Sequence, residues 1–105
     1  MGTEDKCVKR IDELIVKGDK VIATDKPNLS GVIGFPTLDP GAFAEWQSQV
    51  QNLLISELGR DHSYTQKFTE QVKKGFPSEV KIGQGILRAV REDLLGGYLT
   101  TGITI

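Results

Sequence analysis

The sequence predicts an all-α protein, built as an antiparallel helical bundle of about four helices with one long loop between helices 1 and 2. Apolar residues recur at helical spacing in four separate segments, and clusters of Gly, Pro, Asp and Ser separate these segments. The 105 residues, of which 38% are hydrophobic, suit one core better than two. We therefore expect a single domain over residues 1–105, with approximate helices at 4–24, 40–58, 63–74 and 79–95.

The first helix, predicted over residues 4–24, carries its apolar residues on one side. Gly18 lies inside the apolar arc, where a helical glycine costs about 1 kcal/mol relative to alanine. We expect another helix to pack closely against Gly18, and the periodicity on both sides favours this over a helix end at that position. At 100° per residue the apolar arc spans about 140° and contains Cys7, Val8, Ile11, Leu14, Ile15, Val21 and Ile22.

A long loop is predicted from Asp25 to Pro40, because this stretch holds three of the four prolines and no helical periodicity. Loops of about 15 residues are uncommon in helical bundles and are often functional. The apolar residues Val32, Ile33 and Phe35 are available to pack the loop against the bundle. A ligand pocket beneath this loop is therefore one alternative for the function.

The second and third helices have local start and stop signals. Asp39 followed by Pro40 predicts an N-cap and a first helical residue, and Gly59 predicts the end of the second helix after Leu58. The third helix is expected to use Ser63 as its N-cap and to run to Lys74, ending at Gly75. The second helix has one apolar stripe, which contains Phe43, Trp46, Val50, Leu53, Leu54 and Leu58.

The fourth helix, expected over residues 79–95 after a start at Ser78 or Glu79, is also amphipathic. Asp93 falls in its apolar sector, where an unpaired carboxylate is costly, so we expect fraying toward Gly96 rather than a buried partner. Gly83 and Gly85 indicate a helix crossing. The predicted apolar arc contains Ile82, Ile86, Ala89, Val90 and Leu94, and the predicted polar side contains Lys81, Gln84, Arg88, Arg91 and Glu92.

The scarcity of Cys and His limits the chemistry of this chain. One Cys cannot form an internal disulfide, and one Cys with one His cannot close a zinc site. Cys7 lies in the apolar arc of helix 1, which predicts a buried small hydrophobe rather than a nucleophile. His62 lies in a helix connection and Asp93 near a helix end, so both are polar candidates for a small-ligand or enzymatic site. We expect no catalytic residue, no metal and no cofactor.

Charge and apolar runs also bear on partners and location. No apolar segment of a secretory signal follows the N-terminus, and no run of 18 apolar residues is present to span a membrane. We therefore expect a cytoplasmic protein of bacterial type with no membrane partner. The net charge of −1 gives no general attraction to nucleic acid. A weak nucleic-acid site in residues 73–91 is the second alternative, and its cations are Lys73, Lys74, Lys81, Arg88 and Arg91.

The second helix is poor in charge, which points to a protein partner. All 13 Lys and Arg lie outside residues 27–59, and the polar positions of this helix are mostly amides and hydroxyls. Depletion of charge is typical of the core of a protein–protein contact. Ala44, Ser48, Gln51 and Ile55 form a mild stripe, and we expect them to contact a partner, most simply a second copy of this chain. The alternative is that neighbouring elements cover this helix on both sides.

The order of these landmarks over roughly residues 8–99 resembles a helical module of bacterial proteins. This module precedes predicted nucleotide-binding domains of TIR-like type and occurs in some abortive-infection (phage-defence) proteins. The resemblance implies an interaction or sensing role, with the activity in a downstream domain. Because the sequence ends at Ile105, the resemblance leads us to expect that this chain is either a module cut from a longer protein or a stand-alone relative. The motifs concerned are Glu13-Leu14-Ile15 with Gly18, Phe43-x-x-Trp46, Leu53-Leu54 with Gly59, Ser63-Tyr64-x-x-x-Phe68, Gly85-Ile86-Leu87-x-Ala89, Asp93-Leu94 and Gly97-Tyr98-Leu99.

Overall fold

A computed structural model describes residues 3–24 and 38–99, with side chains from Lys6 onward. These ranges contain helices and their connections but no β-strand, so the predicted all-α class is confirmed. Residues 25–37 of the predicted loop lie outside the described ranges, and so do Val32, Ile33 and Phe35 with the pocket expected beneath them. The four helices are α1 (Thr3–Ile22), α2 (Pro40–Leu58), α3 (Ser63–Gln71) and α4 (Pro77–Leu95).

Hydrogen bonds between α1 and α4 fix these two helices as antiparallel neighbours. The Arg91 guanidinium donates to Asp12 Oδ1 at 2.7 Å, and the Gln84 amide donates to Asp19 Oδ1 at 2.9 Å. Residues with higher numbers on α1 therefore lie beside residues with lower numbers on α4. In the described part of the chain, each helix packs on its neighbours in sequence, and α4 closes the ring against α1.

The α2–α3 pair is antiparallel by the same criterion. The Gln47 amide near the middle of α2 donates to the Val72 carbonyl oxygen at 2.7 Å, whereas the Thr65 hydroxyl approaches the Leu54 carbonyl oxygen at 3.4 Å. Early α3 therefore lies beside late α2. The predicted antiparallel helical bundle is confirmed by these contacts, which follow from short connections between consecutive helices.

The ends of α2 follow the sequence signals. The Asp39 side chain accepts a hydrogen bond from the Ala42 amide at 2.8 Å, and Pro40 is the first helical residue. At the other end, Gly59 adopts φ +96°, and its N–H donates to the carbonyl oxygens of Leu54 and Ile55. Both predictions are confirmed because each depends on chemistry within one turn of the helix end.

Helix α3 differs from its prediction at both ends. His62, not Ser63, is the N-cap, and its Nδ1 accepts from the Tyr64 amide at 3.1 Å. The helix stops at Gln71 rather than at Lys74, because Val72 leaves helical geometry and places its side chain in the core with 1% exposed. Its carbonyl oxygen then accepts from the Gln47 amide of α2.

Helix α4 begins at Pro77, earlier than the expected Ser78 or Glu79. The Glu79 carboxylate organises this start, since its Oε1 accepts from the amides of Lys74 at 2.7 Å and Gly75 at 2.8 Å. Gly75 has φ +82°, so it serves the turn into α4 rather than the end of α3. Pro77 at the first helical position costs no hydrogen bond, because that N–H has no partner within a helix.

Trp46 lies at the centre of the core and is fully buried. Its indole N–H donates to the Leu14 carbonyl oxygen at 2.8 Å, and its ring packs edge-on against Phe68 with centroids 5.9 Å apart. A buried indole needs such an acceptor to avoid an unsatisfied donor.

Among the described helices, none has both the length and the apolar character that crossing a bilayer requires.

The buried side of α4 corrects the prediction for this helix. Ile82, expected in the core, is 41% exposed, whereas Gln84, expected on the polar side, is only 3% exposed. The buried positions instead centre on Leu94 and include Gly83 and Val80. At 100° per residue the buried arc spans about 160° and overlaps the predicted arc only in part.

Helix α1 continues through Gly18, as predicted, and ends at Ile22 rather than at Thr24. A Cβ atom on Gly18 would lie 2.8 Å from Gln84 Nε2, so the expected close approach is made by α4. The Gln84 amide donates to the Ile15 carbonyl oxygen at 2.8 Å as well as to Asp19. Gln84 is therefore buried because it supplies donors to α1.

Candidate interaction surface

The outward side of α2 is open to solvent. Ala44 and Ser48 are exposed, and Gln51 and Ile55 are partly buried. The opposite side of α2 enters the core through Phe43, Trp46, Val50 and Leu54. This helix therefore belongs to the ring of four, and among the described residues Ala44 and Ser48 are exposed; residues 25–37, which could cover this side of α2, lie outside the described ranges.

Two shallow grooves flank this outward side, and each has a volume of about 360 Å³. Gln51 and Ile55 line the groove between α2 and α3, with Arg60 and Glu70 at its border. Ser48 lines the groove between α1 and α2. Three of the four predicted interface residues thus line one of these grooves, and Ala44 lies on the same side of α2 at helical spacing. Together they form an outward ridge with a groove on each side, a shape that suits ridge-into-groove packing by another helix.

The charge on α2 is small, and its two acidic residues are Glu45 and Glu57. Glu45 accepts from Lys17 of α1 at 3.0 Å, and the same ammonium donates to Gln49 Oε1 at 2.7 Å. Glu57 points toward α1, and its Oε1 is buried without a hydrogen-bond partner among the described residues. The outward ridge itself therefore presents hydroxyl, amide and apolar groups.

Tyr64, which was not among the predicted site residues, brings the two polar candidates together. Its hydroxyl donates to Asp93 Oδ2 at 2.5 Å, and its ring stacks on the His62 imidazole with centroids 5.5 Å apart. The prediction that α4 frays at Asp93 is wrong, because the helix continues to Leu95 and the carboxylate has this partner. A contact across 29 residues leaves no local signal in the sequence.

The geometry gives this trio a structural role. The hydrogen bond to Asp93, followed by burial, raises the pKa of Tyr64, so the phenol remains a donor and is a poor base. His62 Nδ1 is occupied by the Tyr64 amide, which leaves this nitrogen unavailable for proton transfer. The contacts therefore join the start of α3 to the end of α4.

Cys7 is buried, as predicted, with 5% of its surface exposed. Burial, with a smaller effect of the Glu57 carboxylate, raises the pKa of the thiol from 9.0 to about 11. The thiol is therefore protonated at neutral pH and is a poor nucleophile. It lines a groove of about 420 Å³ between α1 and α2, beside Leu53 and Glu57.

The cations of residues 73–91 lie in two parts of the structure. Lys73 and Lys74 lie in the connection between α3 and α4, while Lys81 and Arg88 are exposed on α4 itself. Arg91 is paired with Asp12 at 2.7 Å. Within the described ranges, no three His, Cys, Asp or Glu side chains are grouped so as to hold a metal ion.

Comparisons of the chain with protein-family models, with curated proteins and with solved structures found no match. The function is therefore inferred from the surface of this chain alone.

Proposed function

We propose that this chain is a non-catalytic interaction module that binds a second copy of itself through the outward side of α2. The observation that carries the proposal is an outward helical ridge that has no charged residue and lies beside the Glu45–Lys17 ion pair. Charged side chains are depleted at the centre of protein–protein contacts because their desolvation opposes association. An exposed helix without a partner normally carries Lys and Glu on its outward side.

The shape of the ridge also favours a helical partner. Ala44 and Ser48 are small, so the backbone of an approaching helix is not held away by long side chains. Ile55 offers apolar area in the groove beside α3, and Gln51 next to it can exchange amide hydrogen bonds with its symmetry mate. Such a self-complementary patch fits the two-fold symmetry of most homodimers.

The chemistry of the polar candidates gives little support to the enzymatic alternative. A catalytic Cys needs a lowered pKa, whereas that of Cys7 is raised to about 11. A general base needs a free lone pair near its substrate, whereas His62 Nδ1 serves as a helix cap. Interaction without catalysis is therefore the function we propose.

The resemblance to the helical module of TIR-like and abortive-infection proteins suggests the context of this interaction. We propose that the module is the sensing or assembly part of a bacterial defence protein in the cytoplasm. Cell fractionation and a phage challenge of bacteria expressing the gene test this context. Equal plaque numbers with wild-type protein and with a variant unable to self-associate would contradict the defence role.

Sedimentation equilibrium over a wide range of micromolar concentrations tests self-association. We expect the average mass of the wild type to rise toward twice that of the 11.5 kDa chain, and Ser48→Arg to remain monomeric. Gly85→Arg is a suitable control, because it adds the same charge on the exposed side of α4, where a Cβ meets open space. A wild type that is monomeric at every concentration removes the self-association, and equal dimerisation of both variants removes its assignment to α2.

A further inference from the structure

One of the two grooves beside the outward ridge of α2 carries opposite charges at its two ends. This groove, which we call the α2–α3 groove, contains two charged side chains, those of Arg60 and Glu70. Both residues are exposed, and neither side chain makes a hydrogen bond or an ion pair with any residue in the described part of the chain. The uncharged lining between them consists of Gln51, Ile55, Thr65, Gln66 and Thr69.

The hydrogen bonds between α2 and α3 give the positions of the two charges along the groove. The Gln47 amide donates to the Val72 carbonyl oxygen, so these two residues lie at the same level. Glu70 precedes Val72 by two residues, which places it about 3 Å further along α2 than Gln47. Arg60 follows the end of α2 at Leu58. About 14 Å of α2 therefore separates the level of Glu70 from the end beside Arg60.

A surface with opposite charges at its two ends is complementary to a copy of itself. A two-fold axis can lie in the plane of the contact, at right angles to α2 and beside Ile55. Such an axis places Arg60 of each copy opposite Glu70 of the other and makes the two α2 helices antiparallel. A two-fold axis parallel to α2 instead places Arg60 opposite Arg60 and Glu70 opposite Glu70, which opposes association. The charges therefore favour the antiparallel arrangement.

We infer that the second copy docks in the α2–α3 groove in this antiparallel orientation, held at each end by a contact between Arg60 and Glu70. The inference rests on the proposed self-association through α2 and adds its geometry. The centre of the contact then consists of Ile55 with amide and hydroxyl side chains, and the charges lie at its rim. A charge-poor centre with a polar rim is typical of protein–protein interfaces, and rim charges fix the register of the two partners.

The neighbouring charges on this side of the molecule fit the same orientation. Asp61 is exposed next to Arg60, and Lys73 is exposed beyond the end of α3, close to the level of Glu70. The axis at right angles to α2 brings the end with Asp61 of one copy to the end with Lys73 of the other. The cation of α3 itself, Lys67, is exposed but does not line the groove. Lys67 therefore serves as the control position.

Charge reversal tests the orientation, with self-association measured by sedimentation equilibrium at low salt. Arg60→Glu and Glu70→Arg each turn both end contacts of the dimer from attractive to repulsive, so each should weaken association about thirtyfold. Lys67→Glu should change it less than about threefold. At about 1 M sodium chloride the effect of Arg60→Glu should largely disappear, because salt screens exposed charges. Far-UV circular dichroism establishes that each variant is folded.

An equimolar mixture of Arg60→Glu and Glu70→Arg gives the sharper measurement. The first variant has an acidic residue at both ends of the groove, and the second has a basic residue at both ends. Every end contact in a mixed pair is therefore attractive, so we expect a heterodimer with an affinity within about threefold of that of the wild type. Each variant alone should stay weakly associated. Repulsion within one chain cannot produce this rescue.

The outcomes separate this inference from the proposed function. If the wild type dimerises and Ser48→Arg abolishes the dimer, but Arg60→Glu associates as well as the wild type, then α2 remains the interface and the antiparallel orientation is wrong. A mixture that associates no better than its separate variants also overturns the orientation. A wild type that is monomeric at every concentration removes the self-association itself and this geometry with it.

Discussion

A Cβ atom placed on Gly83 would lie 2.6 Å from Cη2 of Trp46 and 2.9 Å from Cε1 of Phe68. Both rings are fully buried and cannot move aside without displacing other core residues. The absence of a side chain at Gly83 is thus what allows the central tryptophan to pack against the backbone of α4.

Gly83→Ala should therefore destabilise the fold. We expect the free energy of unfolding to fall by about 2 kcal/mol, within the range for overpacked cores, although alanine favours the helix itself. Urea denaturation followed by circular dichroism measures this change. Gly85→Ala is the matched control, because a Cβ there meets open space and should raise stability by up to about 1 kcal/mol. Equal effects of both substitutions would disprove the packing role of Gly83.

The buried amide of Gln84 provides a second prediction. Gln84→Met keeps most of the shape but removes the donors to the Ile15 carbonyl and to Asp19, and we expect a loss of about 1 kcal/mol. Gln84→Glu replaces these donors with a carboxylate that faces Asp19, so it should cost about 2 kcal/mol or more at neutral pH. Thermal unfolding of both variants measures the difference, and an equally stable Gln84→Glu variant would contradict the geometry.

Gln84 and Ile82 also explain why the buried side of α4 was only partly predictable. Apolar residues on α4 define two overlapping arcs, and hydrophobicity alone favours the arc that contains Ile82. The arc that is actually buried is determined by Gly83, which leaves space for the ring of Trp46, and by Gln84, whose side-chain amide donates to a carbonyl oxygen of α1. Periodicity within one helix contains no information about either partner.

Among the helix ends and surface sites, too, some features were predictable from the local sequence and others depend on the packing between helices. The start at Asp39 and the end at Gly59 were predictable because their hydrogen bonds are local. The partner of Asp93 was not, since Tyr64 reaches it only after α3 and α4 have packed together. The charge-poor character of α2 could be predicted from composition, whereas the grooves beside it arise from the positions of α1 and α3.

The cap at His62 gives a prediction about the start of α3. His62→Ala removes the acceptor for the Tyr64 amide and the stacking contact, so it should lower the free energy of unfolding by about 1 kcal/mol. His62→Asn should recover most of this loss, because Asn is among the best N-cap residues. Chemical denaturation of both variants provides the comparison. If Asn were no better than Ala, the cap would contribute little and the stacking would account for the loss.

The buried thiol of Cys7 predicts a loss of stability at high pH. Its pKa in the folded chain is about 11 against 9.0 for an ordinary thiol, so the unfolded chain releases its proton first as the pH rises. The contribution of the protonated thiol to the free energy of unfolding is complete below about pH 9 and is lost as the pH rises toward 11. It amounts to about 2–3 kcal/mol in all. Denaturation midpoints of wild type and Cys7→Ala from pH 7 to 11 measure it. The wild type should lose stability more steeply than Cys7→Ala, and parallel curves would contradict a buried thiol.

The hydrogen bond from Tyr64 to Asp93 can be tested by titrating the phenol directly. The chain has two tyrosines, so Tyr98→Phe leaves Tyr64 as the only phenol that absorbs on ionisation. Ionisation would break a 2.5 Å hydrogen bond and place two negative charges together, which is why the pKa of Tyr64 is raised above 10.0. In this background, Asp93→Asn should lower the pKa of Tyr64 toward its ordinary value, whereas Glu92→Gln, which removes the adjacent carboxylate, should leave it unchanged. An equal shift in both variants would mean that general electrostatics, and not this hydrogen bond, raises the pKa.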